Sequence, residues 1–410
     1  MGFIFILCSI FLGDAITWWL ADRWIRRHGN RRSLRWALAL FMGLMLLYMV
    51  TMFVLIGFRG PAGRSAMGAV PTGVVAIVYV WHLIVLPLTL LAWLIGGAMF
   101  GVAFLAKRLR RPVVTPADAP RPATVAISRR QFVAGLAVLP PLLAISASGY
   151  GLIESRKFRI RRLTLPIASL PRELEGFTIT QVSDIHVGQW TTDAFLQQVV
   201  DAANGLSADL TLMTGDLIDF AIADLPRGIA MMHRLRSRHG VYLCEGNHDL
   251  IEDPAAFRRL TRQAGLNMLI GQQTVFDHQG AAVQLLGIPW SRSPAAMRRD
   301  VQQIDRLRRP DAFPILLAHH PHAFDPAAEA GFPLTLSGHT HGGQLMLTRD
   351  FGAGNILFHY TSGIYRKGDK LLVVSNGTGN WLPLRINAPA EILHLTLVRD
   401  RQDGHGTFKG

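Results

Sequence analysis

Five short segments carry residue types whose spacing suits metal chemistry. Ser183-Asp184-Ile185-His186 sets a carboxylate and an imidazole two positions apart, and in extended chain that spacing turns both side chains to one side, within reach of one ion. Thr214-Gly215-Asp216 ends another apolar run on a carboxylate, with Gly215 permitting close backbone approach. Gly246-Asn247-His248-Asp249 adds an amide, an imidazole and a further carboxylate. His319 or His320, before Pro321, ends a later run, and Gly338-His339-Thr340-His341-Gly342-Gly343 again spaces two imidazoles by two. Singly these are weak signals, since Asp-x-His or Gly-Asp is more often a turn or a helix cap. Together and in order they are implausible as chance. Mixed carboxylate, amide and imidazole donors suit Mn, Fe or Zn better than Mg or Ca.

The elements that must position these residues follow from periodicity. After about Leu163 the chain alternates short β-branched runs with amphipathic stretches. Phe177–Val182, Leu210–Met213, Gly240–Cys244, Val283–Ile288, Ile315–Ala318 and Leu334–Ser337 read as strands. Ala194–Asn204, Leu225–Ser237, Pro254–Ala264 and Pro294–Leu307 read as helices. The predicted class is α/β, with ligand groups at strand ends.

In order and type, the five segments resemble the blocks of the calcineurin-like metallophosphoesterase superfamily, D-x-H, G-D-x-x-D, G-N-H-D, a lone His and G-H-x-H, over about Phe177 to Leu397. The resemblance implies an αββα sandwich of two sheets flanked by helices. It implies two divalent ions, one held by Asp184, His186 and His341, the other by Asn247, His319 and His339, with Asp216 bridging. His319 is preferred to His320 because the family's lone His precedes one variable residue and then Pro. Two cations roughly 3.5–4 Å apart lower the pKa of a bridging water, orient the phosphate and offset charge in an in-line displacement, so hydroxide is the nucleophile and no Ser or Cys is required. His248 is the implied proton donor to the leaving oxygen, or a phosphate hydrogen-bonder; Asp219 and Asp249 suit supporting roles. The segment from Tyr360 through Ser375-Asn376-Gly377 to Leu382-Pro383-Leu384-Arg385 resembles the membrane-linked bacterial branch, some of whose members hydrolyse the pyrophosphate of UDP-2,3-diacylglucosamine in lipid A synthesis. That branch commonly has Arg where Asn376 stands, which puts a phosphate contact there in doubt. Arg385 is a candidate substrate contact.

The N-terminal part has another character. Half of the 410 residues are apolar, and residues 1–150 hold 15 Lys/Arg against Asp14, Asp22 and Asp118 alone, so most of the +14 net charge lies there. Basicity confined to loops between apolar stretches is a membrane-orientation signal and argues against nucleic acid. Four stretches, near Phe3–Leu20, Trp36–Phe58, Val74–Leu105 and Phe132–Tyr150, approach the roughly 20 residues that cross a bilayer. Pro87 predicts tilt or a kink in the third, and no role is read for Asp14 or His82. Arginine-rich first and third loops place the N-terminus and everything after Tyr150 outside the cytoplasm, giving a multi-pass protein of a bacterial inner membrane with a periplasmic catalytic domain. Ser128-Arg129-Arg130-Gln131-Phe132-Val133 resembles a twin-arginine export motif. The basic run Arg156–Arg162 crowds the side expected to be poor in cations; it reads either as a stop flank or as a contact with anionic headgroups. The expected divisions are a transmembrane region (1–150), a juxtamembrane connector (151–176), the phosphoesterase domain (177–397) and a flexible tail (398–410). Two cysteines, Cys8 and Cys244, provide no disulfide framework. The partners implied are the bilayer and a phosphoester, lipid-borne by proximity; UDP-2,3-diacylglucosamine and a non-catalytic receptor or scaffold are the alternatives.

Overall fold

The computed structural model describes residues 2–27, 32–67, 70–109, 129–348, 351–352, 354–355 and 358–400. The Pro- and Ala-rich residues 112–126, and the expected tail from residue 401, lie outside them. The chain divides into two compact units, Met1–Tyr150 and Gly151–Gly410.

The first unit is helical: α1 (Gly2–Arg27), α2 (Arg32–Met67), α3 (Thr72–Val80), α4 (Leu86–Leu109) and most of α5 (Arg129–Glu154). Among the described residues, two segments are long and apolar enough to cross a bilayer, Arg32–Met52 and Thr72–Ala106. This corrects the expected four. In α1, Asp14, Asp22, Arg23, Arg26 and Arg27 dilute the apolar run, and α5 carries Pro140 and Pro141 inside it. The side chains of residues 129–138, which include most of the twin-arginine-like motif, lie outside the described set. Pro87 is accommodated by a π-turn, Trp81–Val85, in which the Leu86 N–H reaches back to the Trp81 carbonyl. That turn carries His82, whose Nε2 lies 3.0 Å from Asp14 Oδ2 and whose Nδ1 lies 2.9 Å from the Val78 carbonyl. Trp81 Nε1 donates to the other Asp14 oxygen at 2.8 Å. All three side chains are buried, so they form a polar lock between α1 and the π-turn.

The second unit holds two six-stranded sheets. The first runs β1 (Phe158–Ile167), β12 (Ala390–Arg399), β2 (Thr178–Val182), β3 (Leu210–Thr214), β4 (Val241–Cys244), β5 (Asn267–Met268). The second runs β10 (Gly363–Lys367), β11 (Lys370–Val374), β9 (Leu334–Ser337), β8 (Ala312–Leu317), β7 (Ala281–Gly287), β6 (Gln272–His278). β2, β3 and β4 pair in parallel, as do β7, β8 and β9. Such strands are covered on both faces, and β3 is buried at every position. Leu165, Ile179, Leu212, Val283, Ile315 and Val373 fill the space between the sheets. α6 (Asp193–Gly205), α7 (Leu225–Arg234) and α8 (Pro254–Gln263) cover the outer face of the first sheet through Val199, Met231 and Phe257. α9 (Pro294–Asp305) and α10 (Phe324–Glu329) cover the second through Val301 and Ala327. The layers are αββα, as the resemblance implied.

The helix starts are set locally. Thr192, Asp253 and Ser293 each accept a backbone N–H three residues on, and the last two precede a Pro at the first helical position. The segment read as a connector with a basic run is instead β1, parallel to β12. Arg159 Nη2 lies 3.0 Å from buried Glu391, and Arg161 lies 3.9 Å from it.

Candidate metal centre

All the predicted ligands lie just past strand ends: Asp184 and His186 after β2, Asp216 after β3, Asn247 after β4, His319 after β8, His339 and His341 after β9. At each exit the chain must turn back at once. Asp184, His186, Asp216, His339 and His341 do so with positive φ, between 49° and 74°. Such conformations are uncommon for residues other than glycine and cost about 1–3 kcal/mol each. Five of them at one edge mark it as built for geometry rather than stability. Gly246 is required for another reason: a Cβ there would lie 2.1 Å from Asp216 Oδ1 and 2.4 Å from Asp216 N.

The ligand atoms form three overlapping groups, each within 4.8 Å: Asp184, His186 and His341; Asp216, His319 and His339; and His186, Asp216 and His248. Asp216 belongs to two of them, and so does His186. His186 Nε2 and His341 Nε2 lie 2.9 Å apart, within hydrogen-bonding distance of each other. His319 Nε2 lies 3.1 Å from Asp216 Oδ2, and its Nδ1 lies 2.7 Å from the Thr214 carbonyl, which fixes the ring. Asn247 Oδ1 is buried and has no hydrogen-bond partner, an arrangement that costs about 1–3 kcal/mol unless a cation accepts it. N and O donors, with atoms of His186, Asn247 and His319 buried and lacking a hydrogen-bond partner, fit divalent ions of the Mn, Fe or Zn type. His320, the reserve candidate, accepts the His322 N–H at its Nδ1 and stacks its ring 4.6 Å from His339; His319 joins the group instead.

The charges are balanced accordingly. Burial raises the Asp216 carboxyl, but His319, His248 and His186 outweigh it and hold it well below the usual carboxylate range. Burial raises Asp184. Burial pushes the His319 imidazole down, yet Asp216 and Asp184 overcome this and lift it to about 10. His339 and His341 are held well below the ordinary imidazole value, by burial first and then by neighbouring cations.

His248, like Asn247 and His339, is partly open. Its Nδ1 lies 2.6 Å from the Asp219 carbonyl, which leaves Nε2 for the site. Burial lowers this imidazole, but Asp216 and Asp219 outweigh it and bring it to about 9. Asp249, 1% exposed, accepts N–H bonds from Asp216, Ile218 and Gly246 and so clamps the loops bearing Asp216 and Asn247.

Arg385 is not where a substrate contact would be. It is 1% exposed. Its guanidinium donates to Asn380 Oδ1 at 2.6 Å and to the carbonyls of Gly379, Asn376 and Ala388 at 2.7, 2.9 and 2.9 Å, and Nη2 lies 3.0 Å from His341 Nδ1. It is a post behind His341. Asn376 is likewise committed, accepting from Ser362 and donating to the Pro389 carbonyl. Sequence reasoning missed Gln181, whose amide ties Thr214 in one sheet to the Ser337 carbonyl in the other. It missed Glu391, which accepts the Asn376 N–H. Neither has a local signature.

The profile of the family described as calcineurin-like phosphoesterase matches residues 177–343. A transmembrane protein with metallophosphoesterase domain from Danio rerio is 30% identical over 285 residues, 66% of this chain and 63% of the relative. The metallophosphoesterase YkuE of Bacillus subtilis is 30% identical over 289 residues, 66% of this chain and 98% of the relative. Phosphodiesterase YaeI of Escherichia coli is 24% identical over 286 residues, 66% of this chain and all of the relative. The chain spans just under two thirds of the length of the first of these. With every block of the motif set brought to one edge of an αββα sandwich, and a 30%-identical relative matched over 98% of its length, the chain belongs to the calcineurin-like phosphoesterases.

Proposed function

We propose that this protein is a membrane-associated, dinuclear-metal phosphoesterase that hydrolyses a phosphomono- or phosphodiester of a lipid or membrane-associated substrate. The observation that carries the reading is the gathering of imidazoles and carboxylates into three overlapping groups linked through Asp216 and His186, together with the unpartnered buried Asn247 Oδ1. Asp184, His186 and His341 would hold one ion, Asn247, His319 and His339 the other, and Asp216 both. Bound there, divalent ions would supply acidified water and offset charge on the phosphoryl group. The chain's own part is proton handling and positioning. Water adds to phosphorus as the bond to the leaving oxygen breaks; His248 Nε2 gives its proton to that oxygen and recovers one from the water, while the Asp219 carbonyl keeps Nδ1 protonated.

Two apolar helices, and a relative named as a transmembrane protein, support membrane association. A multi-pass arrangement rests on the arginine-rich loops, which place the phosphoesterase on the periplasmic side with four crossings and on the cytoplasmic side with the two apolar segments alone. The lipid-borne substrate rests on proximity to the bilayer, and the pyrophosphate of UDP-2,3-diacylglucosamine is its narrower form. The full ligand set opposes a non-catalytic scaffold.

The test is the full chain in detergent, stripped of metal and refilled with Mn, Fe or Zn, assayed on bis-p-nitrophenyl phosphate, p-nitrophenyl phosphate and UDP-2,3-diacylglucosamine beside Asp216→Asn. Metal-restored turnover that falls to background in the variant is expected. Folded, metal-loaded protein that turns over none of the three would overturn the reading.

A further inference from the structure

Trp381 is 41% exposed, yet the segment that carries it is tied down on both sides. The Gly379 N–H donates to the Asp184 carbonyl, and Asn380 donates to the Ser155 carbonyl while accepting from Arg385. On the far side, the Gln344 amide donates to the carbonyls of Leu382 and Leu384, and Ser155 Oγ donates to that of Pro383. Leu382 and Leu384 are buried while the larger indole between these ties is left in water. Burying a large apolar side chain is stabilising, and a loop this constrained forgoes that at Trp381. The indole stands 6.3 Å from the His248 ring, centre to centre, at 51°. Phe358, by contrast, packs edge-on against the ligand His339.

We propose that Trp381 is the specificity-determining wall of the leaving-group side of the site, selecting esters whose leaving alcohol carries an apolar body. The inference rests on the phosphoesterase reading above: if His248 protonates the leaving oxygen, whatever that oxygen carries passes over the indole beside His248. A rigid, amphipathic indole offers a broad apolar face at little entropic cost. A small polar alcohol would leave that face wet and gain nothing from it.

The experiment uses the metal-loaded full chain in detergent and two inhibitors, methylphosphonate and octylphosphonate, whose P–C bond fixes the substituent where the leaving group sits. Binding is read by calorimetry and by competitive inhibition of p-nitrophenyl phosphate hydrolysis. Octylphosphonate is expected to bind more tightly than methylphosphonate to the native protein. Trp381→Ala should weaken the octyl compound about tenfold and leave the methyl compound unchanged, with Trp381→Phe recovering most of the loss. Equal weakening of both compounds, or of neither, overturns the assignment of Trp381 while leaving the phosphoesterase reading intact. Absence of any phosphonate binding, together with absence of turnover, sinks the phosphoesterase reading itself.

Discussion

Arg385 permits a quantitative prediction because its surroundings are fully specified. Replacing it with Met keeps much of the aliphatic bulk and removes the guanidinium. The carbonyls of Asn376, Gly379 and Ala388, together with Asn380 Oδ1, then lose a donor at 2.6–2.9 Å in a place water does not reach. Each hydrogen bond to a charged donor contributes about 1.5–3 kcal/mol. Those contributions do not simply add, because removing the cation also relieves its own burial, which pulls its pKa down to about 10. A net loss of about 3–5 kcal/mol follows by analogy with breaking a buried charged network. At roughly 2–4 °C per kcal/mol for a domain of this size, Arg385→Met should melt about 10 °C lower in calorimetry of the metal-free full chain in detergent. Arg385→Lys should recover part of this, since an ammonium donates three bonds but cannot span the same fork. Metal affinity should fall about 10- to 100-fold as His341 loses its backing. A melting temperature within about 2 °C of native, with unchanged metal affinity and a raised KM, would refute the argument and restore Arg385 as a substrate contact.

Gly246→Ala should lose metal and activity together, because the new Cβ meets Asp216 Oδ1 and N at 2.1 and 2.4 Å and displaces the bridging residue; native metal stoichiometry by mass spectrometry would contradict this. In metal-free protein the His319 imidazole, lifted to about 10 from 6.5, contributes stability that is fully present below about pH 6.5 and is lost as pH rises through 10. A metal ligand must be unprotonated, so loading at pH 8 should release about one proton from His319 and none from His339 or His341, measurable by calorimetry in buffers of different ionisation enthalpy; zero release counts against it. Asp14→Leu strips acceptors from Trp81 and His82 in the helical unit and should weaken its helical melt in detergent by about 2–4 kcal/mol, whereas Asp14→Asn should retain the Trp81 bond and lose less; equal melts for both would contradict the lock.

The sequence was most legible where the signal is local. The strands at 210, 241 and 334 begin within a residue of expectation because their apolar runs are bounded by turn residues, and the helices at 193, 254 and 294 because Thr192, Asp253 and Ser293 cap them. The ligands were legible as types at fixed spacing. What failed was non-local. Arg159 and Arg161 looked like a membrane flank until β12, more than 220 residues away, brought Glu391 beneath them. Arg385 looked like a free cation because its acceptors are backbone carbonyls, which every sequence has and none advertises. Hydropathy alone also overcounted membrane spans, since apolar stretches of α1 are interrupted by acids that the fold uses inside the helical unit.

These failures share a cause that bears on how the centre works. Turning five ligand residues into the left-handed region strips backbone groups of ladder partners, and each must be satisfied by something brought from elsewhere. Asp249 takes two N–H groups at the Asp216 loop and one, from Gly246, at the Asn247 loop, and the Asp184 carboxylate takes the His339 N–H. Arg385 takes the carbonyls behind His341, and Gln181 takes Ser337 across the sheets. These supports come from both sheets and from the C-terminal part of the chain, so the ligand geometry is a property of the assembled sandwich. Rigid ligands meet metal without reorganisation, at the cost of backbone strain held by partners outside the ligand set. Substitutions at those partners should therefore release metal under conditions where the sandwich is still folded, whereas replacing Asn247, whose buried Oδ1 has no partner, with Leu should relieve that cost and leave the metal-free fold as stable or more so.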